Sequence, residues 1–171
     1  MYNVTNVKLS LKIRFICLDT VKNILTKQNI SVKSYPNFLV FRNIYTFILF
    51  KSKDKIRNHI NVTNIKKLEN IEEAISTITE LLDIEREDIF STVIDNITAS
   101  FSVKKDFNFL DILEKFKTLA NITYNNEKFP GIFLKFQSGT VIIFHTGKCI
   151  LIGCKSLPDI ECLVKQIHAN I

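Results

Sequence analysis

The sequence predicts an α+β protein made of two copies of one unit, each running strand, helix, four strands, helix. Two observations carry the prediction. The run SYPNFLVFRNIYTFILF, ending at Phe50, returns as KFPGIFLKFQSGTVIIF, ending at Phe144, with an aromatic-Pro pair fifteen residues before the last Phe each time. Four markers also recur in the same order, Asn6/Asn96, Tyr35/Phe129, Phe50/Phe144 and Lys66/Lys155, at separations of 90, 94, 94 and 89 residues. Shared order at a nearly constant separation is the mark of a duplicated supersecondary unit, here longer than the common solenoid repeats. The boundary falls near residue 84, giving a first repeat 1–84 and a second 85–171. About 85 residues is marginal for a domain standing alone, so the two repeats are expected to be fused into one rigid body.

The first strand is read from Val4 to Ile13, where Val7, Leu9, Leu11 and Ile13 alternate with Asn6, Lys8, Ser10 and Lys12. Period two with one apolar side describes a half-buried antiparallel strand. Ile97, Ala99, Phe101 and Val103 repeat it against Asn96, Thr98, Ser100 and Ser102. A helix follows each strand: a short one to Lys27 with Asp19 as a possible cap, and a longer one opened by Asp106, with an apolar stripe of Phe109, Leu110, Leu113, Phe116 and Leu119. The aromatic and β-branched runs 35–50 and 129–144, broken near Asn43 and at Ser138-Gly139, read as hairpins. A further strand precedes a closing helix in each copy. One spans Leu68 to Leu82 with Leu68, Ile71, Ile75, Ile78 and Leu82 on a face; the other spans Ser156 to about Asn170 with Pro158 in its first turn.

Composition narrows the function classes. With 23 Lys+Arg against 17 Asp+Glu, the formal net charge is +6. That balance suits an anionic partner, nucleic acid first, or a merely solvated basic surface. The four cysteines, Cys17, Cys149, Cys154 and Cys162, have neither zinc-ligand nor disulfide-framework spacing, so reduced thiols inside a cell are expected. No signal-peptide pattern or apolar run of membrane-spanning length occurs, and five N-x-S/T sequons follow from a chain rich in Asn, Ile and Lys. The acidic stretch Asp83 to Ile89 reads as a solvated connector rather than a metal site. His59, His145 and His168 lack a partner set for nucleophilic chemistry and no Gly-rich phosphate loop exists, so the chain is read as a non-enzyme without metal or cofactor. The basic run KSKDKIRN, from Lys51, is a five-residue insertion in a hairpin turn of the first copy.

The motifs FPGIFLKF, IIFHTGK and CILIGCKS resemble the second repeat of the TATA-binding protein family, FPGLIYR, LIF-x-SGK and VLTGAK. The resemblance reaches nearly the whole chain once the first copy is laid over the second, although YPNFLVF and INVTNIK match weakly alone. It implies a saddle: one curved ten-stranded antiparallel sheet, helices on the convex face, and a concave face that docks on the minor groove of A·T-rich double-stranded DNA and bends it. It further implies that Phe129 and Phe144, and Tyr35 and Phe50, are rings driven between base steps. Asn6 and Asn96 would donate to minor-groove acceptors and Thr63 would touch base edges. Lys135, Lys148 and Lys155 would neutralise phosphates, with Thr146 beside Phe144 and Lys148 on the DNA-facing side.

Departures from the family pattern bear on readout. Lys8, Thr98 and Asn61 replace apolar residues of the family's underside, and Ile152 replaces its second-repeat Thr. Glu127-Lys128 alters the segment that meets transcription factor IIB, so that partner and the RNA polymerase machinery are expectations from the family. A divergent factor of a virus or of a fast-evolving lineage would fit this drift, acting in the nucleus or, if viral, in the cytoplasmic factory of an infected cell. Two other functions compete: a protein-assembly module of the same fold that has lost TATA binding, favoured by Lys8 and Thr98, and an accessory domain of a repair enzyme or nuclease. Individually, a Phe ending an apolar strand is more often core than wedge. Lys8, Lys12 and Lys104 suit a solvated sheet face as well as phosphate contact.

Overall fold

A computed structural model describes residues 1–104 and 107–171. The chain runs β1 (Tyr2–Arg14), α1 (Leu18–Lys27), β2 (Val32–Tyr35), β3 (Phe38–Arg42), β4 (Thr46–Phe50), β5 (Arg57–Ile65) and α2 (Ile71–Leu82). It then repeats the series as β6 (Ile89–Ser102), α3 (Phe109–Phe116), β7 (Asn121–Thr123), β8 (Gly131–Lys135), β9 (Thr140–Phe144), β10 (Lys148–Cys154) and α4 (Leu157–Asn170). The β-α-β-β-β-β-α order read from the duplication is therefore present twice. All ten strands belong to one open antiparallel sheet. Two compact units divide the chain: a first of Asn6–Asp95 and a second of Met1–Thr5 with Asn96–Ile171.

In the first unit the strand order is β2-β3-β4-β5-β1. Leu9, Leu11, Ile13, Leu39, Phe41, Phe47, Leu49, Ile60 and Val62 alternate inward from these strands and are buried. They meet Val21 and Leu25 of α1 and Ala74, Ile75, Ile78 and Leu82 of α2, also buried. Phe41 and Phe47 stack at 5.2 Å between ring centroids at the centre of this core. Burying each such ring contributes about 1.5–3 kcal/mol, which makes this side of the sheet the stabilising one. α1 begins after Cys17 without a side-chain cap, and Asp19 sits instead in the first turn, where its charge favours the helix dipole. The segment read as one helix from Leu68 opens as a 3₁₀ turn, Leu68–Asn70, before α2 proper. Asp83, at φ 53°, closes α2 in the left-handed region.

In the second unit the order is β6-β10-β9-β8-β7. Ile97, Ala99, Phe101, Ile132, Leu134, Val141, Ile143, Cys149, Leu151 and Cys154 form the buried layer with Ile160, Leu163 and Ile167 of α4. Ser156 caps α4 by accepting from Asp159 N, with Pro158 in the first turn as read from sequence. The proposed cap Asp106 lies outside the described residues; Asn108 fills the role, its side chain accepting from Leu110 N at 3.0 Å. The stripe expected on α3 is corrected in part. Ile112 and Phe116 are buried, whereas Leu110 is 68% and Leu119 44% exposed. Leu110 stands two residues, about 200° of helix, from Ile112, and the helix ends before Leu119. Among the described residues no helix is long and apolar enough to cross a membrane.

Candidate nucleic-acid interface

Strand alternation that sends one set of side chains under the helices sends the other to the opposite face of each unit. In the first unit, strand register places Tyr35 opposite Phe38, Phe38 opposite Phe50, Phe50 opposite His59 and His59 opposite Lys12, making one row across five strands. The rings touch: Tyr35 stacks on Phe38 at 4.5 Å, and Phe38 lies 5.9 Å from Phe50 at a tilt of 45°. Tyr35 is 46% exposed, while Phe38 and Phe50 are half-buried. Asn58, fully buried, holds this end of the sheet: its Nδ2 donates to Phe50 O at 2.9 Å and its Oδ1 accepts from Ile16 N at 2.7 Å.

The second unit builds a similar cluster differently. Phe144 faces Gly131 in the β8–β9 register, and Phe129 covers that glycine. A Cβ placed on Gly131 would come within 3.0 Å of Phe129 Cε1, so the absent side chain is what lets the ring lie down there. Phe129 then sits 5.6 Å from Phe144 and 4.9 Å from Phe133. All three rings are half-buried, and none is in the layer beneath the helices.

Sequence reasoning named Tyr35, Phe50, Phe129 and Phe144, and the structure gathers them into two clusters, one per unit. It missed Phe38 and Phe133. The signal for Phe38 was present in the hairpin spacing: register matches it to Gly131, twelve and thirteen residues before Phe50 and Phe144 respectively, so the ring is carried on the strand in one copy and folded over a glycine in the other.

Asn6 and Asn96 perform one structural task in both units. The β1–β5 ladder slips between Val7 and Leu9, and the β6–β10 ladder slips between Leu151 and Cys154. The slipped strands carry left-handed residues there, Asn64 at φ 70° and Gly153 at φ 84°. Asn6 Oδ1 accepts from Asn64 N at 2.9 Å, and Asn96 Oδ1 accepts from Gly153 N at 2.5 Å. Each carboxamide oxygen thus satisfies the N–H freed by a bulge, which fixes which end of the amide is the donor. Asn96 Nδ2 lies 3.2 Å from Thr98 Oγ1.

The remaining residues read from sequence fall on or beside the same face. Thr63 pairs with Thr46 in register, and its counterpart Ile152 pairs with Thr140. Lys135 is exposed at the end of β8, Lys148 at the start of β10 and Lys155 just after it. Thr146 lies in the turn between Phe144 and Lys148, its Oγ1 accepting from Lys148 N at 3.4 Å. Arg42 ends β3 as Lys135 ends β8, a further exposed cation that sequence reasoning passed over.

The departures in the first unit join into a polar network. Lys8 Nζ lies 3.1 Å from Asp95 Oδ2, Ser10 Oγ lies 2.5 Å from the same oxygen, and Asn61 Oδ1 is 3.0 Å from Ser10 Oγ. The Lys8 and Asp95 side chains are 35% and 33% exposed, so this pair faces solvent and contributes little stability. In the second unit the equivalent middle row is apolar, Phe133, Ile142 and Ile150 ending at Ser100.

The buried cysteines titrate above the ordinary thiol range. Burial pushes the Cys149 thiol up to about 12, and burial followed by the Asp159 charge pushes Cys154 up to about 11. Among the described residues no group of three or more His, Cys, Asp or Glu is placed to hold a metal ion.

The family model for transcription factor TFIID (or TATA-binding protein, TBP) matches residues 91–171. The TATA-box-binding protein of Thermoplasma acidophilum is 29% identical over 117 residues, 66% of this chain and 63% of the relative. That of Pyrococcus horikoshii is 38% identical over 76 residues, 43% of this chain and 38% of its own length. The chain therefore spans less than two thirds of the length of these curated relatives. The solved structure of Methanococcus jannaschii TBP superposes with a TM-score of 0.77 at 25% identity, covering 99% of this chain and 97% of that one. Fold, element order and the motifs of the second copy all point to the TATA-binding protein family, whose model matches residues 91–171.

Proposed function

We propose that the chain is a transcription initiation factor that binds double-stranded DNA in the minor groove through its helix-free sheet face and bends it at the two ring clusters. The observation that carries this reading is the pair of aromatic clusters left on the face opposite the core, Tyr35-Phe38-Phe50 and Phe129-Phe133-Phe144. An aromatic wedge between base steps replaces lost base stacking, whose loss costs a few kcal/mol per step, with contact to the ring. Lys135, Lys148 and Lys155 supply phosphate contacts, and Asn6, Asn96 and Thr63 present polar groups to base edges. In this reading the chain performs no catalytic step, and its other partners are the initiation machinery, a transcription factor IIB-like protein and RNA polymerase. Its place is with the genome transcribed, the nucleus or a viral factory.

Replacing both Phe129 and Phe144 by Ala tests the reading. The double variant is expected to lose most of the bend in an A·T-rich duplex. It removes two ring pairs, worth about 1–3 kcal/mol together, which is less than one fully buried ring. A variant that bends DNA as the parent does refutes the wedge assignment. A second reading, a protein-assembly module of the same fold, draws on the Lys8–Asp95–Ser10 network, which sets a carboxylate on a face that would otherwise meet phosphate-rich DNA. It predicts no bending of any duplex selected from a random pool.

A further inference from the structure

The five-residue insertion of the first unit has no part in the reading above, yet it lies against the ring row. Residues 51–58 separate Phe50 of β4 from its ladder partner His59 of β5, whereas residues 145–147 suffice between Phe144 and Lys148. The loop is braced from within. Ser52 Oγ donates to Asp54 Oδ1 at 2.9 Å, Ile56 N donates to the same oxygen at 2.9 Å, and Lys55 N donates to Ser52 Oγ at 3.0 Å with Lys55 at φ 58°. Lys51 N donates to Asn37 O at 2.8 Å, tying the loop to the β2–β3 turn beside Tyr35. These bonds, the Ile56 N–H foremost, hold the Asp54 carboxyl below the usual range, so the one acid of the loop is engaged by the loop itself.

Lys51, Lys53 and Lys55 are left exposed, and among the described residues none of them is in an ion pair with a carboxylate. Lys12, Arg57 and His59 stand on the adjoining strands and line one recess with Phe50, Lys51, Lys53 and Asp54. Arg57 is itself held over the Phe90 ring at 5.0 Å. A cluster of cations that outnumbers its one acid, which stays ionised and hydrogen-bonded within the loop, placed at the rim of an aromatic wedge, has the chemistry to receive backbone phosphates.

We propose that this loop is a phosphate-binding rim that extends the contact with the duplex beyond the ring cluster of the first unit. The proposal rests on the DNA-binding reading. Because only one of the two repeats carries the extension, it also makes the bound complex asymmetric on a symmetric duplex.

The test uses the full chain on a duplex selected from a random pool, comparing the parent with Lys51→Gln/Lys53→Gln/Lys55→Gln and with Lys22→Gln/Lys27→Gln/Lys165→Gln, three helix-borne cations, as a control of equal charge. The loop variant is expected to lower the slope of log K against log salt by about 2 to 3, at roughly 0.9 per phosphate contact. It should also shorten the backbone-cleavage footprint at one end only, with the bend and thermal midpoint unchanged. The control variant should keep the parent slope. An unchanged slope and footprint in the loop variant overturns the proposal, as does an equal slope loss in the control. Loss of binding to an acidic protein segment with DNA contacts intact overturns it too, assigning the loop to a protein. A parent that binds no duplex sinks the DNA-binding reading itself, a result recognisable before any loop variant is compared.

Discussion

Phe38 and Phe41 stand three residues apart on β3 and face opposite sides, so replacing each by Ala separates the two jobs of this strand. Phe41 is 1% exposed and stacks on Phe47 at 5.2 Å, so its truncation leaves a cavity in a packed layer. The expected cost is about 3–5 kcal/mol. Phe38 is half-buried and makes two ring contacts on the other face, with Tyr35 at 4.5 Å and Phe50 at 5.9 Å. At about 0.5–1.5 kcal/mol for each aromatic pair, the two ring contacts account for about 1–3 kcal/mol, and Phe38→Ala is expected to cost less than Phe41→Ala. Chemical denaturation gives both values, and a bending assay on the selected duplex gives the functional one. Phe38→Ala should keep a cooperative fold while losing bending at the first-unit end; Phe41→Ala should retain bending wherever it stays folded. If Phe38→Ala is as destabilising as Phe41→Ala and leaves the bend intact, Phe38 is a core residue, and the ring row is packing rather than a wedge.

Other consequences follow from single observations. Asn96→Ala removes the acceptor of Gly153 N and should lower stability by about 1–2 kcal/mol, whereas Asn96→Asp keeps that acceptor and should restore stability while abolishing duplex binding through its added charge; denaturation and binding titrations on both variants check this. Gly131→Val should destabilise the fold and displace the Phe129 ring, since even a Cβ meets it at 3.0 Å, and loss of bending without loss of fold would show the ring moved. Under native conditions at neutral pH a thiol reagent should label the exposed Cys17 and Cys162 and spare Cys149 and Cys154 until the chain unfolds, as counted by mass. Cys149, Cys154 and Tyr45 all titrate above their ordinary values, Tyr45 at about 12 through burial and then its hydrogen bond with Glu73. A raised folded-state value means stability is complete below the unfolded value and is lost above it, so the denaturation midpoint should begin to fall as pH rises past about 9 and continue to about 12.

The element order was legible because period-two alternation and the repeated markers recur where the buried layer needs them. Leu9, Leu11 and Ile13, and Ile97, Ala99 and Phe101, are inward because polar neighbours fix the register of each strand. Helix starts were less legible. Asp19 has the chemistry of a cap but the chain turns into the helix two residues earlier, and Asn108 was overlooked for a more acidic neighbour. The α3 stripe failed at Leu110, which falls on the far side of the helix from buried Ile112, and at Leu119, which the helix does not reach.

At the site, ring identity was legible but ring placement was not, since alignment by the aromatic-Pro pair hides a one-residue difference between hairpins. That difference decides the chemistry of each cluster. In the second unit Gly131 lends its empty side-chain space to Phe129, and in the first Phe38 occupies that space from the strand itself, leaving Tyr35 to stack outside it. The roles of Asn6 and Asn96 were also half visible. Their recurrence marked them as a pair facing away from the core, but only the slipped ladders reveal that their oxygens are consumed by Asn64 N and Gly153 N. A bulge sealed in this way orients each amide without a ligand, so the nitrogen end of the Asn6 side chain is the end left to meet an acceptor. The minor groove of A·T pairs offers only acceptors at its floor. The backbone irregularity and the proposed readout are thus one device: a strand slip costs a backbone hydrogen bond, a side chain replaces it, and that replacement aims the donor.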